Sequence, residues 1–442
     1  MACDILIYNG VILTLNHQFD IFQNGFIAIQ DGRIVQVDDK LPGSAFPEST
    51  QMVNAHGGII LPGLINTHTH LPMTLFRGLA DDLPLLSWLN DHIFPAEATH
   101  LNPDSVSIGT RLACAEMLLS GTTTCCDGYF FEDDVAEAVL ESGMRAVLGQ
   151  GVIDFPAPGV PNPKDNVDEA ETFIKKWTGK FSRIMPSVFC HSPYTCSSDT
   201  LIRAKILARN AQVLFQIHAA ETQSETGWSL STHGLSPIAY LDSLGLLDSQ
   251  TLLVHCIWAD SKDMLLISKS GSRISHTPES AMKLASGVAP IPELLHAGIP
   301  VGLGTDGCAS NNDLDMFQEM GQTARLHKVH AMNPMVMDSR TVLKMATIGA
   351  AEALGLSDAI GSIEKGKQAD IIILNAFQPH LLPLFHPESQ LVYSARGADV
   401  RDVMIDGQWV VKDRQLLTID LESVMRSAKN LSHAIRQKGN IS

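Results

Sequence analysis

The segment Asn66-Thr67-His68-Thr69-His70 closes a long apolar run near the start of the chain. Alternation along an extended strand puts His68 and His70 on the same side, where both imidazoles can reach one ion. In a chain with 17 histidines a lone His-x-His is weak, but other apolar runs end in groups of the same kind. One ends in Gln216-Ile217-His218-Ala219-Ala220-Glu221, another in His255, and a third in Thr305-Asp306-Gly307. Three neutral imidazoles (His68, His70, His218) plus the carboxylate of Asp306 would hold one divalent ion and leave a position for water. Zinc is the first expectation and iron(II) the alternative, since this donor set suits several divalent ions. The run ending in Cys190-His191-Ser192 has no lysine to be carboxylated into a bridge between two ions. A mononuclear site is therefore expected, with His191 free for substrate.

A water on such an ion, its pKa lowered to about 7, is a nucleophile at neutral pH. It needs a base to take its proton and an acid to load the leaving group. Asp306 and His255 suit the first task, and Glu221, three residues past a ligand, suits the second. Taken alone, Glu221 would read as a solvated carboxylate and His255 as a buried, hydrogen-bonded histidine.

These groups must be brought together by the elements that carry them. Short apolar runs at 59–65, 122–126, 146–152, 184–190, 213–217, 252–254, 273–275 and 301–304 read as strands, and the stretches between them have helical periodicity or caps. Strands alternating with helices imply a parallel sheet, and eight repeats suggest an α/β fold closed into a (β/α)8, TIM-like barrel. Reactive side chains then project from the C-terminal strand ends, which is where every group above lies. The two ends of the chain differ. Segments 5–15 and 26–37, and later 370–374 and 403–411, read as strands, with Asp31-Gly32 and Asp406-Gly407 as hairpin turns. Neither half can bury an apolar face alone, so a small β-sandwich built from both termini is expected. The organisation is thus residues 1–58 as its first part, 59–360 as the metal-dependent barrel, and 361–442 as its second part with a polar terminal helix.

Other features exclude function classes. Against 31 Lys and Arg stand 48 Asp and Glu, a net charge of −17, which repels phosphate backbones and anionic lipid. Nucleic acid and membrane are therefore not expected partners. No apolar run reaches the roughly 18 residues of a spanning helix. Asp4 interrupts the first apolar stretch, and no basic segment precedes it, so a signal peptide is not expected. The eight cysteines form no CxxC pair and sit mostly in apolar surroundings, as free thiols in a reducing compartment do. A cytoplasmic location is the expectation. Gly302-Leu303-Gly304-Thr305-Asp306-Gly307 satisfies G-x-G-x-x-G, yet it lies on the eighth strand and contains a proposed ligand, which argues against a dinucleotide site. Ser280-Ala281-Met282-Lys283 matches S-x-x-K without a K-T-G, and a helix start capped by Ser280 is expected instead.

The blocks Pro62 to His70, His218-x-x-Glu221, His255 and Gly304 to Gly307 together resemble the amidohydrolase superfamily over nearly the whole chain. Pro95-Ala96-Glu97, His191-Ser192-Pro193-Tyr194, Ser275 to Ser280, Lys283 to Gly287 and Thr305 to Asn312 resemble its 5-methylthioadenosine/S-adenosylhomocysteine deaminases in particular. That resemblance implies a barrel with a flanking β-sandwich, one zinc, and hydrolytic deamination at C6 of adenine. It implies His68, His70, His218 and Asp306 as ligands, Glu221 as proton shuttle, and His255 orienting or polarising the water. It also implies Glu97 on the ribose hydroxyls, His191 on the purine or ribose, and a homodimer or homotetramer. A carboxylate is the natural acceptor for a vicinal diol. Two departures stand out. Where relatives use arginines for the homocysteine carboxylate, this chain has Gln150 and no arginine through residues 151–180, with only Lys164 in the Pro-rich loop. An unpaired carboxylate in a closed site is costly, so the methylthio compound is expected to be preferred. Thr277 and Ala281 stand where asparagines are common, which reshapes the ring pocket. The alternative is the same machinery on another ring, a guanine-type base or a triazine. From another class, a catalytically silent scaffold would keep the fold but has no use for intact ligands with Glu221 and His255.

Overall fold

The computed structural model describes residues 3–39 and 48–438. Eight strands, Leu64–Thr69, Thr122–Tyr129, Arg145–Val152, Ile184–Cys190, Phe215–Ala219, Thr251–His255, Arg273–His276 and Val301–Leu303, pair in chain order and in parallel. The first three are buried at every position, as expected for strands covered by helices outside and packed side chains inside. The seam between last and first strand is drawn shut just beyond their ends, where the Asp306 N–H donates to the His68 carbonyl at 3.0 Å. Gly304 makes that approach possible. A Cβ there would lie 2.8 Å from the His68 nitrogen and from Ser275 Oγ.

One apolar run proves to be two strands. Residues 59–65 were expected to form the first barrel strand, but Ile59–Pro62 leaves to join the terminal sheet. There it pairs antiparallel with Ile371–Leu374 and parallel with Cys3–Leu13. The barrel strand begins after Gly63, where any side chain would collide with Thr123. Hydrophobicity cannot reveal the break, because both halves are fully buried.

The two ends of the chain build one nine-stranded mixed sheet. Its apolar face interleaves Ile7, Ile27, Ile29 and Ile60 from the first part with Ile371, Ile373 and Met404 from the second. Both Asp-Gly turns form, with Asp31, Gly32, Asp406 and Gly407 all at positive φ, as type I′ hairpins require. They also meet: a Cβ on Gly407 would lie 2.6 Å from Gly32 Cα, and residue 369 bridges them, donating to the Gly32 carbonyl and accepting from the Gly407 N–H. Arg145, at the start of the third barrel strand, ties this corner to the barrel through Asp370 at 2.9 Å and Asp406 at 2.7 Å. Helix Leu421–Lys438 ends the described chain. Among the described residues no helix is long and apolar enough to cross a membrane.

Candidate functional site

His68 and His70 lie at the end of the first barrel strand, His218 in the fifth, His255 at the end of the sixth, and Asp306 three residues beyond the eighth. All five are buried. His68 Nε2 is 3.0 Å from His218 Nε2 and 3.5 Å from Asp306 Oδ1, and His70 Nε2 is 3.3 Å from the same oxygen. Donors about 2.0–2.1 Å from a tetrahedral ion stand roughly 3.3 Å apart. These three separations match that spacing, and the donor atoms form two groups, each mutually within 4.8 Å, that share His68: His68 with His70 and Asp306, and His68 with His218 and His255. The chemistry agrees. His70 Nδ1 donates to the Gly128 carbonyl at 2.7 Å, which leaves Nε2 as a lone pair. Burial lowers the pKa of His68 and His218, keeping both imidazoles neutral. His68 Nδ1 is buried without a hydrogen-bond partner, so the ring is held by what its Nε2 faces. The four groups fit a divalent cation.

Asp306 is held as a carboxylate facing the histidines. Burial opposes its ionisation, but the surrounding imidazoles outweigh that and keep the carboxyl well below the usual range. Its Oδ2 accepts the hydroxyls of Ser280 at 2.7 Å and Ser310 at 2.8 Å, while Oδ1 accepts the Gly307 N–H and faces the histidines. Asp306 has φ 65° and His255 φ 75°, left-handed conformations that non-glycine residues avoid unless surrounding bonds impose them. Ser280 therefore does not cap a helix. The helix runs Pro278–Lys283, and Ser280 sits in its first turn turned toward the carboxylate. The G-x-G-x-x-G segment likewise serves barrel closure, with Gly302 against Thr67 and Gly304 against His68.

Two acid/base groups face this centre. His255 Nδ1 bonds Thr277 Oγ1 at 2.8 Å, which points Nε2 toward Glu221 Oε2 at 3.8 Å. Glu221 sits on a turn fixed by Glu225, whose two carboxylate oxygens accept the N–H groups of Ala220 at 2.9 Å and Glu221 at 2.8 Å. Burial, then the charges of Asp306 and Glu225, push the Glu221 carboxyl well above the usual range.

His70, His218, Glu221, His255 and Asp306 line one cavity of about 680 Å3. Its remaining wall is mostly apolar, with Met73, Trp88, Phe130 and Phe189, and holds no lysine or arginine among the described residues. Glu97, from helix Phe94–His100, faces the same space and accepts a 2.5 Å hydrogen bond from the Tyr129 hydroxyl. Burial lifts its pKa to about 7, against the lowering effect of that bond. His191 also faces the cavity, its Nδ1 3.0 Å from Thr195 Oγ1 and its ring 5.2 Å from that of His218. Burial holds it neutral, with a pKa lowered to about 3. Seven of the eight residues expected from sequence thus line one chamber, and His68 is buried behind it against His218 and Asp306. Tyr129, Glu225, Ser280 and Ser310 were not foreseen as supports. Ser280 and Ser310 lie within the blocks that carry the family resemblance, whereas Tyr129 lies at a strand end only because the strand runs three residues past 126.

The chain matches the amidohydrolase family over residues 59–410. A 5-methylthioadenosine/S-adenosylhomocysteine deaminase of Syntrophobacter fumaroxidans is 46% identical over 433 residues, 98% of each chain. A 5'-deoxyadenosine deaminase of Methanococcoides burtonii is 42% identical over 96% of each chain. Among solved structures, an adenosine deaminase from Xanthomonas campestris with bound zinc has a TM-score of 0.96 at 37% identity, covering 99% of both chains.

Proposed function

The chain belongs to the amidohydrolase family and is a hydrolytic deaminase, and on that premise we propose that it deaminates adenosines with uncharged 5' substituents, 5'-methylthioadenosine among them. The observation that carries this reading is the shared chamber itself. A His3Asp donor set, a raised carboxyl at Glu221 and a Tyr129-held carboxyl at Glu97 meet at one cavity whose described lining has no lysine or arginine. Water adds its oxygen to C6 of the ring, the C6–N6 bond breaks, and the two protons of water end on N1 and on the departing ammonia.

His68, His70, His218 and Asp306 would hold a zinc ion, which when bound would supply the Lewis acidity that makes water a nucleophile at neutral pH. Burial and the charges of Asp306 and Glu225 raise the Glu221 carboxyl well above its usual range and so favour its protonated form, which suits it to hand a proton to N1 and return one to the leaving amine. His255, steered by Thr277, orients the attacking water beside Glu221. Asp306 assists as base through the oxygen that is not tied to Ser280 and Ser310. Glu97 accepts the ribose diol, and His191 contacts the purine or ribose edge. A homocysteine carboxylate finds no partner on the wall, which supports the preference for methylthio and deoxy substituents.

Eight free, buried cysteines support a cytoplasmic location. The exposed Phe377, Phe385, Met332 and Met335 support self-association into a homodimer or homotetramer, which light scattering on the purified protein would read. The central test incubates the zinc-loaded protein with 5'-methylthioadenosine, S-adenosylhomocysteine and adenosine, following absorbance at the ring and ammonia release. Turnover of the methylthio compound with at least tenfold lower kcat/KM for S-adenosylhomocysteine is expected. No turnover of any of the three would overturn the proposal and favour a guanine-type or triazine ring.

A further inference from the structure

A second, more open cavity of about 730 Å3 lies against the first and shares three of its walls, Phe94, Glu97 and Phe130. Its own walls are Asn90 and Ala98 on one side and the loop Phe155, Pro156, Ala157 and Pro158 on the other. Phe155 meets Phe94 edge to face, with centroids 5.2 Å apart, where the loop approaches the helix that carries Glu97. Among the described lining residues no lysine or arginine occurs, and Asn90 and Glu97 are the only polar side chains.

From this we infer that the vestibule is a subsite for neutral, apolar extensions of the 5' substituent, so that the enzyme accepts 5'-alkylthioadenosines well beyond methyl. The inference rests on the deaminase reading above. Its occupant follows from continuity: Glu97 belongs to both cavities, so a riboside with its diol on Glu97 has its 5' end beside the shared aromatic walls. A homocysteine tail brings an ammonium that competes with the diol for Glu97 and a carboxylate that has no partner. An alkyl tail brings neither. Each methylene moved from water onto such a wall contributes roughly a fourfold gain in affinity.

The test compares kcat/KM of the zinc-loaded protein for 5'-methylthio-, 5'-n-butylthio- and S-adenosylhomocysteine substrates, in the wild type and two variants. The butylthio compound is expected to be turned over at least as efficiently as the methylthio one. Ala157→Phe, which fills the vestibule away from the catalytic groups, should lower the butylthio value at least tenfold and leave the methylthio value unchanged. Asn90→Arg should raise the S-adenosylhomocysteine value at least fivefold by giving the carboxylate a partner. A butylthio value below the methylthio one in the wild type overturns the subsite, as does an Ala157→Phe variant that treats both compounds alike. If even 5'-methylthioadenosine is inert, the deaminase reading falls and this inference with it. Turnover of the methylthio compound alone removes only the subsite.

Discussion

Tyr129→Phe deletes one oxygen, the donor of the 2.5 Å bond to Glu97. The glutamate is buried and already poised with a pKa of about 7, so the bond is one of the few influences favouring its charged form. Hydrogen bonds to charged groups contribute about 1.5–3 kcal/mol, and losing about 1.4 kcal/mol from the ionised state alone makes Glu97 tenfold harder to deprotonate. If the ionised carboxylate is what accepts the ribose diol, the active fraction at pH 7 falls from about half to about a tenth. The variant should therefore show kcat/KM for 5'-methylthioadenosine reduced roughly fivefold at pH 7. The sign with pH is fixed: a raised carboxyl loses its proton as pH rises, so the deficit should shrink toward nothing near pH 9. Initial rates from pH 6 to 9, expressed as the ratio of variant to wild type, isolate this effect from other titrations. A deficit constant across that range, or none at all, would refute the view that Tyr129 acts by tuning the charge of Glu97.

Glu97→Ala should mainly raise KM for ribosides while kcat changes less, and an unchanged KM in steady-state kinetics would count against a ribose contact. Glu221→Gln should retain full zinc by elemental analysis and lose at least about a hundredfold in kcat, the usual share of a positioned proton carrier; near-normal turnover would remove that role. Ser280→Ala frees one lone pair of Asp306 Oδ2 and should weaken zinc binding about tenfold or more in a chelator competition, as loss of a group supporting a ligand commonly does. Arg145→Met strands the buried Asp370 carboxylate and should cost about 3–5 kcal/mol in denaturant unfolding, with kcat of the folded fraction unchanged.

The barrel was legible because most of its strands are buried on both faces and contain short apolar stretches separated by helical segments, and because chemistry must lie at their C-terminal ends. His218 and Asp306 were found by that rule, not by local spacing. Glu97 was not: it sits on a helix entered through an irregular segment, and only resemblance to known deaminases drew attention to it. The division of residues 59–65 escaped notice for the same reason that the run was conspicuous, since Ile59–Pro62 and Leu64–Thr69 are equally buried in different sheets. Ser280 was misread because a serine near a helix start usually caps it, whereas the long-range partner Asp306 is 26 residues away in sequence. Glu225 was invisible because its bonds go to backbone N–H groups that only the folded turn presents.

The clasp of the two Asp-Gly turns has a consequence for how the chain is made. The strands of the first 62 residues share their apolar face with strands that begin only at Ile371. A ribosome adding about 5–20 residues per second leaves roughly fifteen seconds to a minute between the two. Through that interval Ile7, Ile27 and Ile29 lack the cover that Ile371, Ile373 and Met404 later provide, while the barrel between them is being completed. In the finished sheet Ile59–Pro62 pairs with Ile371–Leu374, so the first strands to be synthesised must wait for the last to arrive. A nascent chain halted before residue 371 would leave the edge of Ile59–Pro62 without its partner Ile371–Leu374.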